Sequence, residues 1–473
     1  MAAPEKKMRD NSSHITNLIR TAEKKASKNS MGDTARGKRG SIEWPVHCTV
    51  GPGLEGAIAC ETKVGYVNGS EGRLIYRGYD IFDLCENSTF EEVTYLLLFG
   101  KLPSDKQKTR FKSKLFKYMY IPETTRLLSG FPVEDMDTMA ALRFGISLLR
   151  IADIRNKKTD IYPDTSMIIA TDEDSIPMET PPVGESHAIY EFDETAAGVN
   201  HSIAVRHRAE RAETCCRLIA GVASLAAAIA RIRAKHLPLE PIPELSHAGN
   251  LIYMMTGKKP TPVEERVMDV CLILHADHGM NASTFAALVV ASTLADIYFS
   301  VGSGIGALSG QLHGGANQKA YAMLEEIGGP ENVGAWCEKA LAEKRKIMGV
   351  GHRVYKTHDP RALVLGPLAG FLARKNKDMA VLAETANVLE KRVCATLGAQ
   401  KGLFPNVDFY SGLVYKSLGI PADLFTPIFA TSRVSGWTAR IMEYLESNRI
   451  FRPRAIYTGS FGKKTLKSKT AGF

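Results

Sequence analysis

Residues 261–274, TPVEERVMDVCLIL, indicate the class of fold most clearly. Thr261 is a favourable N-cap, Pro262 suits the first helical position, and Glu264 completes a capping box. After this start, apolar side chains recur at helical spacing, at Val263, Val267, Val270 and Leu274. The segment therefore predicts an amphipathic α-helix with one face in a hydrophobic core.

Similar signals on both sides of this segment extend the helical prediction. Ser88 and Glu91 form a second capping box, and Gly100 with Pro103 ends the helix that follows. Apolar periodicity predicts helices in six further segments, at residues 206–235, 283–300, 316–327, 378–397, 409–418 and 432–446. The sequence therefore predicts a mainly α fold.

One short stretch near the N-terminus has the pattern of strands instead. Residues 63–67 and 73–76 flank Asn68-Gly69, and Asn-Gly between two such runs is a hairpin signal. We therefore expect a small N-terminal β-hairpin beside an otherwise helical protein.

The composition is that of a globular protein that can bury a core, because 44% of the 473 residues are hydrophobic and 23% are charged. The formal net charge of +9 indicates either a solvated basic surface or an anionic ligand. The Lys and Arg residues are spread along the chain without interleaved aromatic residues, so we expect no nucleic-acid surface. The most apolar run, residues 218–229, is shorter than the roughly 20 residues that a membrane span needs.

Two segments lack the helical pattern. Residues 1–45 are polar and rich in lysine, which predicts a mobile extension with one short helix at residues 15–26. Residues 156–200 are acidic, contain proline and have no sustained periodicity. They predict an insertion loop that is partly disordered.

The spacing of the cysteines indicates the cellular compartment. Eight occur, and none has CxxC spacing, so we expect buried free thiols in a reducing environment. This predicts a cytoplasmic protein. An organellar matrix is the alternative, since Lys and Arg dominate residues 1–40, but the four acidic residues in that stretch argue against a transit peptide.

His313 has the setting of a neutral histidine. It precedes Gly314 and Gly315 and then the helix predicted at residues 316–327. A helix N-terminus carries partial positive charge and free N–H groups, which disfavour an imidazolium. We therefore expect His313 to act as a neutral hydrogen-bond donor.

Together with His313, other polar residues form a candidate acid–base site. His352 follows Gly351 and begins a basic run, which suits the close approach of an anion. Asp408 begins a helix-like segment and can serve as a carboxylate base. Three arginines can each bind a carboxylate through two parallel hydrogen bonds: Arg361, Arg433 and Arg452. This set indicates proton abstraction beside a carbonyl, with a polycarboxylate bound nearby.

Two rival interpretations come from other classes of protein. One is a metal-dependent hydrolase that uses His275, His278 and His313. Its first two histidines are spaced i, i+3 without a nearby cysteine or a clear third ligand, so we expect no zinc site. The other is a basic scaffold that binds nucleic acid, which would have no need of an acid–base set.

Six groups of polar motifs follow one another along the chain. They are HADH (275–278) with NAST (281–284), LHGGAN (312–317), GHRVYK (351–356) with DPRA (359–362), NVDFYSG (406–412), SRVSGW (432–437) and RPR (452–454). Taken in this order, they resemble the motifs of the citrate synthase family. An upstream stretch, residues 51–81, resembles that family's N-terminal hairpin, and the likeness covers about residues 48–460 apart from the acidic insert.

The resemblance implies a two-domain helical fold that closes over its substrates. Residues 46–315 and 428–473 would form the large domain, and residues 316–427 the small one. It also implies that acetyl-CoA condenses with oxaloacetate and that citryl-CoA is then hydrolysed. Coenzyme A would be a substrate and product, and no cofactor would be needed.

The resemblance also implies a role for each residue. His313 would hydrogen-bond the thioester carbonyl, Asp408 would remove a methyl proton, and His352 would polarise the oxaloacetate carbonyl. The further oxaloacetate-binding residues would be His278, Arg361, Arg433 and Arg452, and those facing the coenzyme A phosphates would be Lys356 and Lys401. Because Arg452 would reach the neighbouring subunit's site, a homodimer with shared active sites is implied.

The sequence departs from the family pattern at two positions. Gly279 follows His278 where many members carry Glu, and Arg440 stands where many carry His. The closest rival within the family is a 2-methylcitrate synthase that uses propionyl-CoA. The same catalytic residues serve both reactions, and one methylene changes discrimination only modestly, so the sequence leaves this choice open.

Overall fold

The computed structural model describes residues 3–29, 50–159, 201–455 and 458, and there the protein is mainly helical, as the sequence predicted. Its helices are α1 Ala3–Asn29, α2 Ile81–Asn87, α3 Phe90–Phe99, α4 Asp105–Met119, α5 Pro122–Leu128, α6 Thr138–Thr159, α7 His201–Arg233, α8 His247–Thr256, α9 Pro262–His275, α10 Ala282–Ser292, α11 Ile297–Leu308, α12 Ala316–Ile327, α13 Val333–Ala342, α14 Pro360–Ala373, α15 Lys377–Val393, α16 Ala399–Lys401, α17 Val407–Ser417 and α18 Phe425–Tyr444.

The predicted hairpin is present and carries a third strand that the sequence analysis missed. Strands β1 Gly65–Asn68, β2 Arg73–Tyr76 and β3 Tyr79–Asp80 form one antiparallel sheet in the order β1-β2-β3. Between β1 and β2, the Asn68 side chain accepts hydrogen bonds from the N–H groups of Ser70 and Glu71. An asparagine that bonds its own turn in this way stabilises the reversal of the chain.

Helix α9 begins as predicted. The Thr261 side chain accepts from the Glu264 N–H, and the Glu264 carboxylate accepts from the Thr261 N–H. The box predicted at Ser88 and Glu91 is one residue out of register, because Thr89 and Glu92 form the cap of α3. Glu91 points into the protein instead, where it accepts from the His247 N–H at 3.0 Å.

Two helix predictions have wrong bounds. The segment 283–300 is two helices, since α10 ends at Ser292 and Asp296 caps the start of α11 by accepting from the Tyr298 N–H. Helix α18 begins at Phe425 rather than at residue 432, with Pro427 in its first turn. Proline lacks an N–H and fits a first turn without the loss of a helical hydrogen bond.

The N-terminal helix is longer than the sequence predicted. In place of a short helix at residues 15–26, α1 runs for 27 residues and buries Ile15, Ile19 and Ala22. These side chains dock it onto α14, α2 and α9. The rest of the predicted extension, residues 30–45, lies outside the described residues, as does the acidic insert from residue 160 onward.

The core surrounds α18, which is buried along nearly its whole length and packs against α7, α10, α3, α11 and α9. Within α7, the segment Arg208–Arg233 is long and apolar enough to cross a membrane, but 83% of its most apolar window is buried inside the protein. Such burial is typical of the core helix of a globular fold. In the part predicted to be the small domain, α17 packs against α12, α14 and α15.

Candidate active site

Three loops, the first turns of α14 and α17 and the buried helix α18 carry most of the predicted polar residues. The turn after α9 carries His278, and the loop before α14 carries His352 and Tyr355. The His278 and His352 rings lie 5.1 Å apart between centroids. The Tyr355 hydroxyl lies 3.1 Å from His278 Nε2 and joins the two segments. The structure thus places both histidines in one cleft.

His352 is held by its own loop in one tautomer. Its Nδ1 accepts from the Val354 N–H at 2.9 Å and from the Tyr355 N–H at 3.2 Å. In a neutral imidazole with Nδ1 as acceptor, the proton is on Nε2. Burial, and then the charge of Arg361, lowers the pKa of His352 to about 4. At neutral pH the ring is therefore an uncharged donor through Nε2.

The His352 loop is fixed to the segment that precedes Asp408. Gly349 has a φ of 75°, and a Cβ there would lie 2.7 Å from the Phe409 Cα. Its carbonyl accepts from the Asn406 N–H at 2.8 Å, and the Asn406 side chain donates to the Gly351 carbonyl at 2.8 Å. Only glycine combines the left-handed backbone with such a close approach. These contacts bring His352 and Asp408 into the same site.

His313 is neutral for a reason that differs from the one the sequence suggested. Its Nε2 accepts from the Ser283 N–H at 3.2 Å and lies 2.8 Å from the Ser283 hydroxyl. The ring therefore faces the first turn of α10, rather than depending on α12, which follows it in the chain. Burial, and then the charge of Arg433, lowers the pKa of His313 to about 4. With Nε2 as acceptor, the Nδ1 N–H is the donor.

Asp408 is a half-buried carboxylate in the first turn of α17. Asn406 caps that helix by accepting from the Asp408 N–H at 2.9 Å. Burial raises the pKa of Asp408 from 3.8 to about 6, although Arg361 opposes the rise. A carboxyl with a pKa in this range is ionised at neutral pH yet basic enough to take a proton.

Arg361 and Asp359 form a buried pair at the start of α14. The Arg361 Nε and Nη2 donate to the two Asp359 oxygens at 3.0 and 2.8 Å. Asp359 also accepts from the Val407 N–H, at the start of the helix that carries Asp408. Asp359 therefore holds Arg361 and the start of α17 together.

Arg433 projects from α18 with an unsatisfied donor. Its Nε donates to the His275 carbonyl at 2.6 Å, and its guanidinium lies 4.7 Å from the centre of the Phe429 ring. Its Nη2 is buried without a hydrogen-bond partner within the described part of the chain. Burial lowers the pKa of Arg433 to about 10, so it stays charged at neutral pH. A buried cationic N–H with no partner is an open position for an anion.

The remaining predicted residues lie at the surface. Lys356 and Lys401 are exposed, and they are neighbours, because a Cβ on Gly402 would lie 3.1 Å from the Lys356 carbonyl. Arg452 is also exposed and follows Phe451, whose N–H donates to Ser292 at the end of α10. Since His313 contacts the other end of α10, about 14 Å of helix separates the two positions. The structure therefore does not bring Arg452 to the His313 site of its own chain.

Several residues of the site were missed by the sequence analysis. Ser283 holds His313, and Tyr355 holds His278, although both lie within quoted motifs. Asp277 and Arg440 form a buried pair beside His278. No residue type or spacing marked these side chains as partners, because each contact joins distant segments of the chain.

His275 belongs to the core. Its Nδ1 lies 2.5 Å from the Cys271 carbonyl one turn earlier in α9, and its ring packs edge-on to Phe429. Burial lowers its pKa to about 3. Across the described ranges, no group of three or more His, Cys, Asp or Glu side chains is placed to hold a metal ion. The hydrolase interpretation therefore has no ligand cluster in that part of the chain.

The fold and these residues define a mainly helical protein in which a carboxylate of raised pKa, two neutral histidines and a buried arginine with an unpaired donor lie on neighbouring segments. The family model described as citrate synthase, C-terminal domain, matches residues 53–454. The chain is 39% identical to citrate synthase from Deinococcus radiodurans, over 87% of this chain and 96% of that protein. This chain belongs to the citrate synthase family, and it is an enzyme of acyl transfer and condensation.

Two further relatives bear on substrates. A Bacillus subtilis protein named citrate/2-methylcitrate synthase is 35% identical, over 86% of this chain and 96% of its own length. A solved ternary complex of citrate synthase from Thermoplasma acidophilum with carboxymethyl coenzyme A and oxaloacetate is 29% identical with a TM-score of 0.73. The match covers 89% of this chain and 99% of the Thermoplasma acidophilum chain.

Proposed function

We propose that this enzyme condenses acetyl-CoA with oxaloacetate and hydrolyses the resulting citryl-CoA to citrate and coenzyme A. The observation that carries the proposal is the Asp408 carboxylate, whose pKa is raised by burial to about 6, together with two histidines that each present a single N–H donor. The charge of Arg361 acts on both Asp408 and His352. The charge of Arg433 acts on both Asp408 and His313. A thioester methyl is a very weak acid, so a base and an electrophile must act on it together.

In the first step, Asp408 takes a proton from the acetyl methyl group. The electron pair of that C–H bond becomes the enol double bond, and the thioester oxygen takes up the negative charge. The Nδ1 N–H of His313 is the donor that stabilises this oxygen. Because the pKa of His313 is lowered to about 4, the ring donates as a neutral imidazole rather than as a cation.

In the second step, the enol carbon attacks the ketone carbon of oxaloacetate. The Nε2 N–H of His352 polarises the ketone and supports protonation of the oxygen as the C–C bond forms. The proton that Asp408 took from the methyl group balances the one that the new alcohol gains. The carboxylates of oxaloacetate suit Arg361 and the unpaired Nη2 of Arg433, since guanidinium groups bind carboxylates strongly in buried sites. His278 is the further donor in this cleft.

Coenzyme A suits the basic surface beside the cleft. A cavity of about 410 Å3 is lined by Lys319, Lys346 and Met348, among other residues. Lys319 lies one turn into α12, the helix that His313 precedes. Lys356 and Lys401 add two exposed cations near the His352 loop, which suit the phosphates.

The position of Arg452 supports a homodimer, which belongs to the proposal. It lies at the far end of α10 from its own His313, so its proposed contact with oxaloacetate requires the site of a neighbouring subunit. A two-fold dimer places two such arginines reciprocally, one in each site. A mechanism without metal and a cytoplasmic location stay predictions.

The alternative is 2-methylcitrate synthesis from propionyl-CoA, which the name of the Bacillus subtilis relative favours. Both reactions use the same base and donors, so only the pocket for the acyl chain separates them. The test is a thiol-release assay that compares kcat/KM for the two acyl-CoAs at fixed oxaloacetate. We expect acetyl-CoA to be preferred, and a clear preference for propionyl-CoA would overturn that choice.

The same assay tests the metal-free mechanism. We expect full activity after incubation with a chelator and gel filtration. Activity that disappears with the chelator and returns with zinc would contradict the mechanism. Absence of thiol release with either acyl-CoA would contradict the proposed function as a whole.

A further inference from the structure

The turn that carries His278 is held by a buried ion pair. The side chain of Asp277 is 0% exposed and that of Arg440 is 2% exposed. The Arg440 Nε and Nη2 donate to the two Asp277 oxygens, both at 2.7 Å. A bidentate pair of this kind sets both the distance and the orientation of its partners.

The pair also connects the turn to the hairpin and to its own backbone. Arg440 donates further to the Thr62 hydroxyl at 3.3 Å and to the Gly65 carbonyl at 3.4 Å. Asp277 accepts from the Gly279 N–H at 3.2 Å, where a φ of 61° reverses the chain directly after His278. Arg440 therefore acts on the residues that flank His278 on both sides.

Arg440 shares a helix face with Arg433. The two are seven residues apart in α18, about two turns, so both point toward the end of α9. Arg433 donates to the His275 carbonyl at 2.6 Å and keeps a buried Nη2 without a partner in the described structure. The Asp277 charge acts on Arg433 as well, and raises the pKa of that guanidinium against the effect of burial. Asp277 therefore has two arginines within electrostatic reach, and Arg440 occupies both of its oxygens.

We propose that Arg440 is a positioning residue for oxaloacetate, which neutralises Asp277, holds the His278 turn and keeps Arg433 available for a substrate carboxylate. The inference rests on the proposed function, because it concerns the same dicarboxylate. Without Arg440, a buried carboxylate would stay charged beside the site, where it would compete for Arg433 and repel the substrate dianion. If Asp277 is also replaced by a neutral residue, most of the lost oxaloacetate affinity should return.

The experiment compares Arg440→Gln with the neutral pair Asp277→Asn/Arg440→Gln in the full-length chain. Oxaloacetate affinity is measured by titration calorimetry without acyl-CoA, and KM is measured for both substrates. For Arg440→Gln we expect oxaloacetate to bind at least about tenfold more weakly, with KM for acetyl-CoA within about threefold of the parent value. The neutral pair should recover most of the lost oxaloacetate affinity.

A matched control separates positioning from stability. Arg266 and Asp269 form another largely buried pair, at 2.6 Å, on the part of α9 remote from His278. Arg266→Gln should lower the melting temperature but leave oxaloacetate affinity within about threefold. If Arg440 had a purely structural role, Arg440→Gln would lower the melting temperature in the same way, without a selective loss of oxaloacetate binding.

Three results would overturn the inference. They are parent-like oxaloacetate affinity in folded Arg440→Gln, equal weakening of both substrates, and no recovery in the neutral pair. If Arg440→Gln does not fold, Arg440→Lys is tested in its place. Lysine keeps the positive charge but cannot form the two parallel hydrogen bonds to the Asp277 oxygens. Selective loss of oxaloacetate affinity there supports the inference, and unchanged affinity overturns it. An unsubstituted enzyme that binds no oxaloacetate would instead refute the proposed function.

Discussion

Asp408→Asn should remove nearly all condensation activity and at the same time stabilise the folded protein at pH 8. Burial raises the pKa of Asp408 from 3.8 to about 6, so the folded state holds this proton more tightly than the unfolded chain. A shift of about two pH units corresponds to about 3 kcal/mol, which is an upper limit for a half-buried group. The asparagine side chain carries no charge and avoids this penalty.

The sign of the effect follows from the two protonation states. Above pH 6 the carboxylate is ionised in the folded protein, and its burial costs the full penalty. As the pH falls from 6 toward 3.8, the folded state takes up the proton first, and the penalty disappears. The stability gain of Asp408→Asn should therefore be largest at pH 8 and absent below about pH 4.

The assay is denaturant unfolding of both proteins at pH 8, 6 and 4.5, together with thiol release at pH 8. Asp378→Asn is the matched control, since Asp378 is an exposed aspartate in the first turn of α15. The free energy of unfolding of Asp378→Asn should fall by at most about 1 kcal/mol, because the interaction with the helix dipole is weaker, and its activity should be unchanged. Retained turnover in Asp408→Asn would rule out Asp408 as the base. A variant less stable than the parent at pH 8 would refute the burial argument.

Four further outcomes are expected. The value of kcat/KM should fall about tenfold between pH 7 and pH 5, because a base with a pKa of about 6 is only about a tenth ionised at pH 5; a flat profile would contradict the raised pKa of Asp408. Ser283→Ala should lower kcat more than it changes KM for oxaloacetate, because the His313 ring loses the Ser283 hydroxyl, one of its two partners. An unchanged kcat would contradict this expectation, because the Ser283 backbone N–H would then be sufficient to hold the ring. Ile19→Ala should destabilise the protein by about 2–4 kcal/mol in denaturant unfolding, while the exposed Lys24→Ala should not, and equal stability of the two would contradict the docking of α1. Arg452→Ala and Asp408→Asn, each inactive alone, should regain some activity when they are mixed and refolded together, and no regain would argue against shared sites.

Much of the fold could be predicted because its signals are local. The cap of α9 involves only Thr261 and Glu264, three residues apart, and the hairpin turn is stabilised by Asn68 within its own loop. The errors also have local causes. Ser88 and Thr89 are both acceptable N-caps, and only the burial of Glu91 against α8 selects the second.

The length and the docking of the N-terminal helix could not be predicted in the same way, although a short helix at residues 15–26 was. Its sequence is polar overall, and among the side chains described from residue 13 onward the buried stripe consists of Ile15, Ile19 and Ala22. Such a stripe is too narrow to identify a docked helix until the surfaces of α14, α2 and α9 are known. The free energy that orders α1 comes from this packing rather than from the helix itself.

The sequence alone determined which residues are candidates for the chemistry, because residue type and order along the chain carry that information. His313, His352 and Asp408 were proposed before any contact was known. Only the tertiary structure decided their contacts and their protonation. The protonated nitrogen of His313 depends on Ser283, thirty residues earlier, and the pKa of Asp408 depends on its burial. The unpaired Nη2 of Arg433 and the pairing of Arg440 with Asp277 likewise depend on how α18 packs against the end of α9. Such properties come from distances and desolvation between remote segments, which spacing along the chain does not encode.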